Sequence, residues 1–151
     1  MSTVLMIIAP KSFRDEELFD TRAELENAGH SIHIASLVKG TCPGSRGGFA
    51  EATLTLSEVQ LDQYDAVIFV GGGGSKIYFE NEQALHIARE MYAQEKIVAA
   101  ICLAPMILAN AGILLGKKAT VSGQLAAAME SRGVYYTEPG VTVDGNIITA
   151  N

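Results

Sequence analysis

Tryptophan is absent from this chain, and cysteine is nearly so: Cys42 and Cys102 are its only two thiols. They form no CxxC pair and have no histidine at metal-ligand spacing, so neither a zinc site nor a disulfide-stapled secreted domain is indicated. Two isolated thiols suit a reducing compartment, and a cytoplasmic location is expected, with no metal or cofactor. Clustered positive charge is lacking too. Lys117-Lys118 is the densest basic stretch, and the net charge is -6 with a pI near 5.0. A phosphate backbone is repelled by such a surface, so nucleic acid is not an expected partner. No apolar run approaches the roughly 20 residues of a membrane span, so a membrane is not expected either. Met1 to Pro10 has no basic n-region and no small-residue cleavage site, and it reads as a buried strand rather than a leader. Repeats, linkers and low-complexity tracts are absent as well.

What remains is a globular profile, 48% hydrophobic and 19% charged over 151 residues. That length suits one domain, 1–151, able to bury about 68–70% of its unfolded surface without staples. Val4 to Ala9 is a continuous apolar run, the pattern of a strand buried on both faces of a parallel sheet. Asp15 to Ala28 reads as a helix with acids in its first turn; Leu18, Thr21, Leu25 and Ala28 lie on one face, and Gly29 takes the C′ place. Ser31 to Ser36 is a strand, and residues 39–57, broken by Gly and Pro, suggest a small hairpin or edge excursion. The strand Ala66 to Val70 runs into Gly71–Gly74. Asn81 caps a helix reaching Gln94, with Ala84, Ala88, Met91 and Tyr92 inward. Ile97 to Ile101 is a buried strand leading through Cys102 into an apolar helix, Leu103 to Ala111. A short strand, Ala119 to Val121, precedes a helix from Gln124 to Arg132. Val141–Val143 and Ile147–Thr149 flank Asp144-Gly145, a hairpin signal. Strands alternating with helices give an α/β, doubly wound, flavodoxin-like sheet, mostly parallel, with helices on both faces. Ligands of such sheets bind at the carboxyl ends of the strands, which is where residues 10–17, 71–75 and 102–105 fall.

Cys102 sits where a buried strand feeds a helix. The unpaired N–H groups there favour a thiolate, and Pro105 fixes the first turn at no hydrogen-bond cost. The competing reading is a small buried hydrophobe. Glu17 is one of three acids at a helix start, a common arrangement that complements the dipole; chain order nevertheless brings it to the same sheet end as Cys102. Burial and a neighbouring thiolate would raise its pKa, so that in protonated form it could donate a hydrogen bond to sulfur. Gly71–Gly74 fits neither the P-loop order nor the dinucleotide fingerprint. Backbone N–H groups at Gly72 or Gly73, with that of Leu103, could instead face an oxyanion, or the glycines could simply be a flexible turn. His30, His33 and His86 fall away from these strand ends, and Cys42 lies in a Gly/Pro turn as an incidental thiol.

Phe13-Arg14-Asp15-Glu16-Glu17-Leu18, Val70-Gly71-Gly72 and Ala100-Ile101-Cys102-Leu103-Ala104-Pro105 together resemble the ThiJ/PfpI superfamily, also called the DJ-one/PfpI superfamily. Asp144-Gly145-Asn146-Ile147-Ile148-Thr149 looks like its C-terminal hairpin, so the resemblance spans the chain in order. It implies a class I glutamine amidotransferase-like fold, a homodimer or higher homo-oligomer, Cys102 as nucleophile and Glu17 as its acidic partner. Gly72, Gly73 and Leu103 would then be the oxyanion and substrate-binding positions. Protease-like members carry histidine directly after the cysteine, where Leu103 stands. DJ-one relatives carry one near the following strand, where Thr120-Val121-Ser122-Gly123 stands. Members usually continue through a Gly-Pro turn into a last helix; here the sequence stops at Asn151, so a domain lacking that helix is expected, either as a fragment of a longer chain or, were the helix genuinely lacking, with an apolar face in need of a partner or second subunit.

The expected function is therefore a cysteine-dependent hydrolase or lyase acting on small reactive carbonyls or glycated adducts, as the resemblance implies. An oxidation-sensing stress protein or chaperone using the same thiol is the alternative. Intracellular peptidase activity comes last, because no histidine is placed to act as its base.

Overall fold

The structure is a computed structural model that describes residues 2–151. Its strands are β1 (Thr3–Ile7), β2 (Ser31–Ser36), β3 (Gly40–Pro43), β4 (Phe49–Ala52), β5 (Leu54–Thr55), β6 (Ala66–Phe69), β7 (Ile97–Ile101), β8 (Lys118–Ala119), β9 (Tyr135–Tyr136), β10 (Val141–Asp144) and β11 (Ile147–Ala150). The helices are α1 (Asp15–Asn27), α2 (Glu82–Ala93), α3 (Pro105–Asn110) and α4 (Ala126–Glu130). Seven strands make one sheet in the order β10-β11-β7-β6-β1-β2-β5. It is parallel except where β10 turns back along β11. Strand order reverses at β1, which pairs with β2 on one side and β6 on the other. The carboxyl ends of β1, β6 and β7 therefore border one crevice.

Alternation along the strands divides the core in two. Leu5, Ile7, Val67, Phe69, Val98 and Ala100 face α2, α3 and α4. Val4, Met6, Ile8, Ala66, Ile68 and Val70 face α1 and the β3–β4 hairpin. Because the central strands β1, β6 and β7 are covered on both sides, their sequences are almost continuously apolar rather than alternating. α2 meets the expectation closely: Asn81 Oδ1 accepts from the Ala84 N–H at 3.0 Å, and Ala84, Ala88 and Met91 are buried.

α1 differs. Asp15 and Leu18 are its buried residues, while Thr21 and Leu25 are only half-buried and Ala28 is exposed. Among the described residues α1 is the only helix packed on that face, beside the β3–β4 hairpin. The segment 39–57 resolves into both devices its turn residues suggested, the β3–β4 hairpin and the short edge strand β5. β9, which pairs with β8, was not anticipated. Among the described residues, no helix is long and apolar enough to cross a membrane.

Candidate active site

β7 ends at Ile101, and the next residue leaves the sheet abruptly. Cys102 has φ 63°, a left-handed conformation that non-glycine residues rarely take. Backbone bonds hold it there: its N–H donates to Ala150 O at 2.8 Å, and its carbonyl accepts from Ser122 N–H at 2.7 Å. Ala104 N–H closes the turn onto Ile101 O at 3.0 Å, and α3 begins only at Pro105. The helix is thus shorter than the expected 103–111 span and starts three residues beyond the thiol, so its dipole acts on the sulfur more weakly than expected.

Glu17 arrives from the first turn of α1. Its Oε1 accepts from Gly71 N–H at 2.8 Å, while the carbonyl of Gly71 accepts from Arg14 N–H at 2.9 Å. The start of α1 therefore grips both sides of the Gly71 residue. A methyl group at Gly71 would meet Ile101 O at 2.5 Å, Glu17 Oε1 at 2.6 Å and Cys102 Cβ at 3.0 Å. Acid and thiol thus converge on one glycine, and only glycine fits between them. Gly72 has φ 103°, and a Cβ there would lie 2.6 Å from Arg14 N. Gly73 faces open space. Among the described residues, the N–H groups of Gly72 and Gly73 have no hydrogen-bond acceptor.

Burial raises the pKa of Glu17, against the pull of Gly71 N–H, the Arg14 charge and a hydrogen bond with Cys102. Burial, and then the charge of Glu17, raise that of Cys102; Leu103 N–H, Arg14 and the Ser122 hydroxyl oppose this without reversing it. The pull of the helix start towards the thiolate is thus opposed by burial and by the charge of Glu17. Ionisation of either group disfavours ionisation of the other, so the two titrate as a coupled pair.

Sequence reasoning brought Cys102, Glu17, Gly72, Gly73 and Leu103 to this crevice, and the structure places all five there. It missed Ser122, whose hydroxyl carries no motif, and the anchoring roles of Arg14 and Asp15. Both carboxylate oxygens of Asp15 accept from the hairpin, from Arg46 N–H at 2.8 Å and Gly48 N–H at 2.7 Å. The histidines lie elsewhere. His30 accepts from Ser2 N–H, His33 bonds the Tyr64 hydroxyl and His86 lies on α2. Cys42 is buried in β3, its thiol pushed up by burial. No cluster of three or more metal-ligating side chains occurs among the described residues.

A sequence model of the DJ-1/PfpI family matches residues 2–151. The chain belongs to the DJ-1/PfpI family. A deglycase of Pyrococcus furiosus, named PfpI, is 36% identical over 97% of this chain and 88% of its own length. An uncharacterised protein of Methanocaldococcus jannaschii is 45% identical over 97% of this chain and 73% of its own. The crystal structure of a ThiJ/PfpI domain protein from Brachyspira murdochii superposes with a TM-score of 0.96 at 32% identity, covering 99% of this chain and 86% of that one. Like that DJ-1/PfpI neighbour, the chain folds as a mostly parallel sheet flanked by helices.

Proposed function

We propose that the protein is a cysteine-dependent hydrolase or lyase acting on small reactive carbonyls and their adducts. One observation carries the reading: a thiol at a strained strand-to-helix turn and a half-buried carboxyl group meet at Gly71. Relatives named deglycases, 32–36% identical over 97% of the chain, support it.

With a 2-oxoaldehyde the chemistry balances on these groups. Cys102 sulfur attacks the aldehyde carbon and forms a C–S bond. The carbonyl π electrons move to oxygen, which takes the proton held by the Cys102–Glu17 pair and gives a hemithioacetal. Leu103 N–H, with those of Gly72 and Gly73, supports the developing charge. The Glu17 carboxylate then removes the proton from the former aldehyde carbon and returns it to the neighbouring carbon, while the hydroxyl proton of the hemithioacetal passes to the former ketone oxygen. The product is a thioester of a 2-hydroxy acid, which water hydrolyses to release the acid and the free thiol.

Peptide hydrolysis lacks an imidazole base, since Leu103 follows the cysteine and all three histidines lie elsewhere. The test is methylglyoxal turnover by the wild type, Cys102→Ser and Glu17→Gln. Both variants should lose about a hundredfold or more in kcat/KM; undiminished activity in both would remove the reading.

A further inference from the structure

A cavity of about 610 Å³ opens beside the thiol site. Cys102 does not line it, but continuations of the segments that build the site do. Lys76 and Ile77 follow the Gly71–Gly74 turn, Met106 and Asn110 lie on α3, and Leu125 and Arg132 follow Ser122. Met106 N–H donates to Leu103 O at 3.2 Å and Leu125 N–H to Ser122 O at 2.8 Å. Two apolar wall residues thus stand one turn from Leu103, which follows the thiol, and from Ser122, which is bonded to the Cys102 carbonyl. The volume is that of a small-molecule site.

The charges bordering the cavity are not neutralised from within. Arg132 Nε donates to Asn110 Oδ1 at 2.7 Å and one of its terminal nitrogens to Ala128 O at 2.9 Å. Asn110 is fixed in turn, its Nδ2 donating to Phe79 O at 2.7 Å. The guanidinium is therefore positioned by neutral acceptors and keeps its charge and its remaining donors. The ion pairs among the described residues are Arg14–Glu16, Lys39–Glu58 and Arg89–Glu82, so neither Lys76 nor Arg132 is in one. Glu80, the one acid on the border, pairs with neither cation. Two uncompensated cations over Ile77, Met106 and Leu125, in a chain of net charge -6, match an organic carboxylate better than a neutral or cationic ligand.

We propose that this cavity binds the carboxylate of the substrate through Arg132 and Lys76, which makes the preferred substrates carboxylate-bearing carbonyl adducts, such as 2-oxoaldehyde adducts of amino acids. The substrate assignment rests on the carbonyl-processing reading; the binding of a carboxylate does not. In the first experiment, wild type, Arg132→Met and Lys76→Met are compared on the methylglyoxal adducts of N-acetylcysteine and of its neutral amide. The wild type should show a KM at least about tenfold lower for the carboxylate form. Either variant should erase that difference, by raising the KM of the carboxylate form to that of the amide. Equal KM values in the wild type overturn the proposal. The second experiment needs no turnover. In Cys102→Ser, NMR titration with N-acetylglycine should shift the side-chain signals of Asn110 and Arg132, whereas N-acetylglycinamide should not. Identical responses to the two probes overturn the binding site. Loss of all turnover alongside a carboxylate-specific shift would remove the reaction and keep the site.

Discussion

Ser122 bears on Cys102 in two ways: its N–H donates to the Cys102 carbonyl, and its hydroxyl opposes the rise in the thiol pKa. A substitution separates the two effects, because every residue except proline keeps the N–H. The hydroxyl lowers the Cys102 pKa, so Ser122→Ala should move the midpoint of Cys102 alkylation to higher pH. Ser122→Thr should restore it, and thermal unfolding should be unchanged in both. An unmoved midpoint would reduce Ser122 to a backbone clamp. Glu17 carries a stability signature of opposite sense to that of a paired surface carboxylate. Its folded pKa is raised, so the native state holds the proton more tightly than the unfolded chain. Its contribution is full below the ordinary glutamate range and is lost as pH rises through the raised value. Glu17→Gln should therefore match or exceed the wild type in Tm at neutral pH, lose that advantage in acid and still lack activity.

Asp15 connects two elements. It opens α1 while its carboxylate takes two N–H donors from the loop between β3 and β4, and Phe13 bridges to Gly44 beside it. These contacts hold the strand-to-helix entry that delivers Glu17. The backbone donors lower the Asp15 pKa despite burial. Its stabilisation is thus present above the ordinary aspartate range and lost as pH falls through the depressed value. Asp15→Asn should lower Tm at neutral pH, by an amount that shrinks in acid; a pH-independent loss would contradict this. Most elements were legible because the central strands are covered on both faces and α2 carries its Asn81 cap: β2 and β7 occupy the expected residues, and α1 and α2 lie within a residue of theirs. The elbow was less so. A helix pattern starting at Leu103 cannot reveal that Cys102 takes φ 63° and delays α3 to Pro105. The expected helix 124–132 likewise shortens to Ala126–Glu130 after a turn, because Ser122 is tied to Cys102.

Across the whole molecule, the site is where distant pieces of chain meet, and that is what a linear reading resolves least. Glu17 and Gly71 are 54 positions apart, yet chain order sufficed to place both at one end of the sheet. The Ser122 contact and the cavity flanked by Arg132 depend on the path of the chain after α3, which no motif marks. The two sheet faces also differ. Phe69 is wholly buried under α2 and α3, whereas Ile97, Val141 and Val143 are 45%, 71% and 63% exposed. Phe69→Ala should cost about 3–5 kcal/mol in urea unfolding. Val143→Lys, at a side chain already in water, should stay within about 0.5 kcal/mol of the wild type. Similar losses for both would mean that the sheet is covered at β10 as fully as at its centre.

The account depends on a carboxyl group and a thiol that share one proton, and the direct probe is the ultraviolet absorbance of the Cys102 thiolate titrated in wild type and Glu17→Gln. Removing the Glu17 charge should move the thiolate midpoint to lower pH even as carbonyl turnover falls. Superimposable titration curves would contradict it.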